Sequence, residues 1–284
     1  MSTRLVWGRS MTLTFLMPCR IESEDRLRNV ISSVGYLAKH FPHCEIIIKE
    51  VDKKSVFKEH VVPNLTSIFG EYPKNITHIF EQSEESFFHK TRILNDLLLA
   101  AKTDVVFNYD VDVVYPISSY TTAYHMITEG GYDAVYTFGC GIYQWAVQYD
   151  QSTFENFIKS GFDTATLDGK SNLQPSVMGW GQMIKRQVQI DAGLWNENFI
   201  SWGAEDCEFH YRIPALGYKV GRINDFVYHL DHSRTFNSHY HNPKFMDNHN
   251  LWQNIRTWNK DAIVKYYESQ SYVNERRSQL NASI

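Results

Sequence analysis

Asp104-Val-Val-Phe-Asn108-Tyr-Asp110-Val-Asp112 is the stretch on which the reading of this chain turns. Its run of apolar residues followed by polar and acidic ones describes a buried strand that ends in carboxylates. Ionised carboxylates are costly inside a protein, so two of them at a buried strand end call for a cation or a set of donors. Alternate residues of a strand face the same side, which lets Asp110 and Asp112 reach one ligand. Hard oxygen ligands suit Mg²⁺ or Mn²⁺, and such a cation can bridge a diphosphate. Taken alone, Asp-x-Asp fits a solvated strand end or a pair of capping acids equally well.

On the N-terminal side, strand and helix signals alternate. Thr12–Met17 is a short apolar run ended by Pro18, and Asp25–Lys39 carries Leu27, Val30, Ile31, Val34 and Leu37 at helical spacing. Glu45-Ile-Ile-Ile-Lys49 reads as a strand. Ser55–Phe69 reads as a helix that Pro63 is expected to interrupt. Ile76–Phe80 is a weak strand and His89–Ala101 a strong helix with Leu94, Leu97 and Leu98 on one face. This alternation predicts an α/β fold with a parallel sheet, whose ligands sit at the carboxyl ends of its strands.

The C-terminal side is less regular. Tyr132–Phe138 reads as a strand. Residues 139–181, rich in Gly, Asp, Ser and Asn, read as active-site loops with a candidate lid. Ala204–Leu216 is helical with an acidic start, while Tyr218–Ile223 and Asp225–His229 are short strands. The tail from Asn250 is helical, with Trp252, Ile255, Trp258, Ile263 and Tyr266 as its packing positions. No internal repeat or low-complexity tract appears.

Composition excludes several classes. A net charge of -4 over 284 residues removes the usual electrostatic case for nucleic-acid binding. No run reaches the ~18 apolar residues of a membrane span. Trp7-Gly-Arg-Ser10 breaks any signal-peptide core, so a cytoplasmic protein is expected. Cys19, Cys44, Cys140 and Cys207 form no Cys-x-x-Cys pair and read as reduced or buried thiols. Asn64, Asn75 and Asn281 fit the glycosylation pattern, which chance explains when no signal peptide precedes it. Aromatic residues make up 14% of the chain, a hint of sugar-binding faces that ordinary cores share.

Two further motifs carry chemistry. In His229-Leu-Asp-His232, positions three apart point oppositely along a strand but meet around a turn, where two imidazoles can share a metal. Histidine suits Mn²⁺ better than Mg²⁺. In Phe199-Ile-Ser-Trp202-Gly-Ala-Glu205-Asp206-Cys-Glu208, two acids follow Trp-Gly and open a helix, a favourable place for acids in any case. The functional reading is a carboxylate beside an indole platform, which suits a base acting on a sugar hydroxyl.

These motifs and their order, from Leu13 to Arg234, resemble a metal-dependent glycosyltransferase of the GT-A fold, most similar to the β-1,4-galactosyltransferase group. The resemblance rests on Pro18-Cys-Arg20, Phe88-His-Lys90-Thr-Arg92-Ile-Leu-Asn95, Asp110-Val-Asp112, Trp180, Trp202-Gly-Ala-Glu205-Asp206 and His232-Ser-Arg234. It implies a GT-A (nucleotide-diphospho-sugar transferase) fold, with a mixed, mostly parallel sheet flanked by helices. The expected layout is one domain over residues 1–284. Its nucleotide-binding half covers about 11–115, its acceptor and metal half about 116–245 and its helical tail about 250–284.

The resemblance implies transfer of a sugar, galactose or xylose first, from a UDP-sugar to a glycan hydroxyl with inversion. Asp206 would be the base and Glu205 would hold the donor sugar. Asp112, His229 and His232 would bind Mn²⁺ (or Mg²⁺). Pro18, Arg20, Glu50, Asp52, Lys90, Arg92, Asn95, Asp110 and Trp180 would line the donor side, and Trp202 the acceptor side. The family's second Gly is Ala204 here and its third acid is Cys207, changes that could reshape the donor pocket. The lack of an anchor points to a soluble bacterial-type or virus-encoded member. A retaining GT-A transferase and a non-catalytic glycan or nucleotide-sugar binder are the alternatives. No His-Glu-x-x-His supports a metallohydrolase, and no Gly-x-Gly-x-x-Gly follows the first strand.

Overall fold

The computed structural model describes residues 11–176 and 178–282. The Trp7–Ser10 stretch and the side chain of Asn281 lie outside the described residues. The first half alternates as the periodicity predicts: β1 (Thr14–Cys19), α1 (Glu24–His40), β2 (Glu45–Asp52), α2 (Val62–Phe69), β3 (Ile76–Gln82), α3 (Lys90–Ala100) and β4 (Val105–Tyr109). Every residue of β1 and β4 is buried, as befits central strands covered on both faces. Period-two alternation splits these strands between two cores. Phe15, Met17, Ile46, Ile48 and Phe107 pack with Val30, Val34 and Leu37 of α1. Leu16, Ile47 and Val106 pack with Ile93, Leu94, Leu97 and Leu98 of α3. The three consecutive isoleucines of β2 thus supply both faces.

Pro63 does not interrupt its helix. A π-helical turn over Phe57–Val61 runs straight into α2, so the wider turn falls immediately before the proline and the helix continues through it.

The second half contains β5 (Val113–Val114), α4 (Ile117–Thr128), β6 (Ala134–Tyr136), β7 (Gly141–Val147), α5 (Gln151–Lys159), β8 (Ser171–Ser176), β9 (Gly181–Lys185) and α6 (Arg186–Asp191). It continues with α7 (Glu205–Ala215), β10 (Val220–Arg222), β11 (Val227–Leu230), α8 (Phe245–Ile255), α9 (Lys260–Glu268) and α10 (Ser271–Ala282). Residues 139–181, expected as loops, hold β7, α5, a 3₁₀ turn and β8. The helix there is started by Asp150, whose carboxylate accepts from Thr153 N. Their polar composition reflects exposure: β8 is an edge strand with four exposed residues.

The main sheet has the order β10-β6-β9-β4-β1-β2-β3, parallel except for β9, which runs antiparallel to both its neighbours. A smaller sheet follows the order β5-β11-β7-β8. The chain steps outward from β1 to β3, then returns to the other side of β1 to form β4. Such a reversal opens a crevice at the carboxyl strand ends. Here β1 and β4 pair only as far as Leu16↔Asn108. Pro18, which has no N–H to give a ladder, lies where they part.

Of the sequons, Asn75 donates to the carbonyls of Phe41 and Cys44, and Asn64 to that of His60. The four cysteines are unbridged, Cys19 and Cys44 buried. No helix of the described residues is long and apolar enough to cross a membrane.

Candidate active site

At the reversal point lies a cleft of about 500 Å³. Asp110 and Asp112 leave β4 on a turn, not on a continuing strand, so they acquire different partners. Asp112 faces two histidines: its Oδ2 lies 2.9 Å from His232 Nε2 and 3.8 Å from His229 Nε2. The small sheet brings them together. His229 is on β11, in register with Val113 of β5, and Leu230 N donates to the Asp112 carbonyl at 2.8 Å. His232 follows in the loop, where His232 Nδ1 contacts the Ser233 carbonyl at 2.9 Å.

The three ligand atoms lie within 4.8 Å of one another. Bonds of about 2.1 Å place neighbouring ligands of an octahedron about 3 Å apart, so the trio fits one divalent ion with little movement. Two imidazoles and a carboxylate suit Mn²⁺ over Mg²⁺. Burial works to raise the Asp112 pKa, but hydrogen bonds and charge from His229 and His232 outweigh it and hold it well below the usual range. Burial likewise works against the His232 cation, and the Asp112 carboxylate more than offsets it, so the His232 pKa is raised.

Asp110 turns the other way. Its Oδ1 is 3.0 Å from Lys90 Nζ, which also lies 3.6 Å from Asp206 Oδ2 and 3.8 Å from Glu205 Oε1. Glu205 and Asp206 open α7, where acids complement the helix dipole. The residue before them, Ala204, has φ 65 and no side-chain cap. Glu205 accepts from Gly203 N at 3.0 Å, which pins the turn that enters the helix. Burial, with Glu205 and Asp110 nearby and Lys90 opposing, pushes the Asp206 carboxyl up to about 7.

Two indoles frame the cleft. The Trp180 carbonyl accepts from Asp110 N at 3.2 Å, and its ring meets Phe138 edge-on at 5.3 Å. Its neighbour must be Gly181: φ is +145 there and a Cβ would sit 2.6 Å from the Asn108 carbonyl. Trp202 stacks on Phe245 of α8 at 5.5 Å. Trp180, Ser201 and Ala204, all lining the cleft, have positive φ, the kind of backbone strain that gathers at functional sites.

Of the residues singled out by sequence, Pro18, Arg20, Lys90, Asp110, Asp112, Trp180, Trp202, Glu205, Asp206, His229 and His232 line the cleft. Glu50, Asp52, Arg92 and Asn95 do not. Glu50 is fully buried and holds Ser55 Oγ at 2.6 Å, Phe57 N at 2.9 Å and His78 Nε2 at 3.1 Å. Asp52 accepts from Lys53 N, Arg92 pairs with Glu81 at 2.7 Å, and Asn95 is buried between Trp195 and Glu197. Pattern reading places such residues near a strand end or helix start but cannot tell which way they face.

Sequence reasoning missed Arg26 and Asn237. Arg26 lines the cleft from the first turn of α1, with Nη2 on Ser238 and a buried Nε that has no hydrogen-bond partner. The only signal was its spacing four residues after Glu22. Asn237 ties the rim together, accepting from Phe88 N and Ser201 Oγ and donating to Glu22 and the Ser86 carbonyl.

No family model matches the chain, and no curated protein matches it. Solved structures do. A mannosyltransferase from Pyrobaculum calidifontis, in complex with GDP-Man and Mn²⁺, is 14% identical, with 96% of this chain and 74% of that chain covered and a TM-score of 0.55. S. aureus TarS 1-349 is 13% identical, with coverage of 94% and 73% and a TM-score of 0.53. The catalytic domain of Drosophila β1,4-galactosyltransferase 7, with xylobiose, is 15% identical, with coverage of 78% and 71% and a TM-score of 0.45. The chain has the GT-A fold, a mixed, largely parallel sheet flanked by helices, which the structures with TM-scores above 0.5 share.

Proposed function

We propose that this protein is a divalent-metal-dependent glycosyltransferase that moves a sugar from a UDP-sugar to a hydroxyl of a glycan, with inversion. One observation carries the reading: the Asp112–His229–His232 trio and the Asp206 carboxylate share one cleft at the strand-order reversal. The GT-A fold and the mannosyltransferase neighbour in complex with GDP-Man and Mn²⁺ support it. Asp112, His229 and His232 would hold Mn²⁺. When bound, the ion supplies positive charge against the departing diphosphate. Arg20 and Arg26, cationic and lining the same cleft, add to that field.

Asp206 takes the proton of the acceptor hydroxyl as its oxygen bonds to the sugar carbon and the bond to the diphosphate breaks. A carboxyl pushed up to about 7 is matched to that work near neutral pH. Glu205 hydrogen-bonds the donor sugar, Trp180 walls the donor side, and Trp202 offers the acceptor a flat apolar face. Galactose and xylose are the first donors to test.

The test is a UDP-release assay over a panel of sugar nucleotides with Mn²⁺ or EDTA. Activity should vanish in EDTA. Asp206→Asn should lower transfer by at least about 10²-fold while UDP binding persists. Near wild-type transfer by Asp206→Asn overturns the base assignment, and full activity in EDTA overturns the metal site.

A further inference from the structure

Lys90 has surroundings that a donor-binding role does not explain. It is the first residue of α3, where a cation opposes the helix dipole. Three carboxylates offset that cost, from Asp110 after β4 and from Glu205 and Asp206 at the start of α7, at 3.0, 3.8 and 3.6 Å. An ammonium has three N–H donors and no acceptor, so each donor already has an acid to face. We propose that Lys90 is a positioning residue that keeps Asp206 ionised and aimed at the cleft through the shared contact with Asp110, and that it is not a ligand of the diphosphate. This rests on the reading of Asp206 as the base.

The groups around Asp206 make Lys90 decisive. Glu205 and Asp110 are acids that oppose a further negative charge, as does burial. Tyr136 of β6 and Cys207 of α7 also lie within its field and carry no positive charge. Lys90 is the cation that the described residues place against this carboxylate. By contrast, the acid nearest Arg26 is Glu22 at 4.0 Å, and Arg20 is bound to the carbonyls of Val51 and Ser86. Those guanidiniums retain donors that Lys90 has committed.

The experiment compares wild type, Lys90→Met and Lys90→Arg by carboxylate ¹³C NMR on the metal-free protein, and by UDP titration with Mn²⁺. The Asp206 resonance is identified by its loss in Asp206→Asn. A cation within ~4–6 Å lowers a carboxyl by about 1–3 units, so Lys90→Met should raise the Asp206 midpoint by at least about one unit. Lys90→Arg should restore it, and UDP affinity should stay within about threefold, well short of the tenfold expected for a lost ligand. The acid limb of kcat/KM should move with the midpoint. Lys90→Gln replaces Lys90→Met if the latter fails to fold. An unmoved midpoint overturns the proposal, as does a tenfold or greater loss of UDP affinity. A shifted midpoint in a protein that transfers no sugar supports the Lys90–Asp206 coupling while removing the glycosyl-transfer reading.

Discussion

Metal binding and metal-free stability should respond to pH in opposite directions. With Nδ1 directed at the Ser233 carbonyl and Nε2 at Asp112 Oδ2, both His232 nitrogens face acceptors, the pattern of a doubly protonated ring. Its raised pKa agrees. A metal must displace the Nε2 proton, so each pH unit below that pKa costs about tenfold in affinity, or ~1.4 kcal/mol. In the metal-free protein, the raised His232 contributes stability that is full below about pH 6.5 and is lost as pH rises through its folded value. Asp112, depressed, contributes above about pH 3.9 and loses its contribution as pH falls through its own folded value. Mn²⁺ at about 100 times its Kd adds ~2.7 kcal/mol, worth ~5 °C at roughly 2 °C per kcal/mol for a chain this long. Two pH units below the His232 pKa, nearly all of that gain should be gone. Melting curves between pH 5.5 and 8.5, in Mn²⁺ and in EDTA, check this. A Mn²⁺-induced shift that stays constant over the range would take His232 out of the ligand set.

Two further outcomes test how the site is supported. Ala204→Gly removes a Cβ from a residue at φ 65, where left-handed backbone costs ~1–2 kcal/mol for a non-glycine residue. Set against the extra chain entropy of glycine, denaturation should show a net gain of about 0.5–1 kcal/mol; a loss would mean that Ala204 is not strained. Under α7, Arg212 is buried against Glu208 at 2.7 Å and stacks over Tyr267 of α9, whose hydroxyl donates to Glu208 at 2.6 Å. Arg212→Met strands a buried carboxylate and should cost about 3–5 kcal/mol, and Tyr267→Phe about 1.5–3 kcal/mol. Equal and small losses would show the cluster to be dispensable.

What the sequence revealed follows from the range over which each signal acts. β1, β2 and β4 are read correctly because burial on both faces leaves continuous apolar runs, and α1 and α3 because one helical face meets the sheet. The site's acids and histidines stand out because charged groups beside apolar strands need partners. Less was legible where the cause is non-local. β9 enters the sheet antiparallel between β4 and β6 through contacts distant in sequence. β8 carries polar residues on an exposed surface and so resembles a loop. In the tail Tyr266 packs on its cluster as expected, but the more deeply buried Tyr267 was not legible, because Arg212 and Glu208 supply the partners that its hydroxyl and ring require. Glu50 and Asn95 stood in motif positions, yet their carboxylate and amide are spent inside the fold.

The same cleft explains why so many acids can crowd one place. α1, α3 and α7 all begin at it, with Arg26, Lys90 and Glu205 in their first turns. Helix N-termini carry partial positive charge and unsatisfied N–H groups. Acids of the protein occupy some of that field: burial works to raise the Asp25 pKa, but the Ser23 hydroxyl and the N–H groups of Ser233 and Arg26 donate to its carboxylate and hold it far below normal. What remains favours an anionic ligand. A diphosphate entering between Arg26 and the Asp112 trio would meet a guanidinium and, on the proposed function, a bound metal, without displacing Lys90 from Asp206. On this arrangement the two acids that leave β4 divide the work. Asp112 faces His229 and His232, and Asp110 faces Lys90, which also lies beside Asp206.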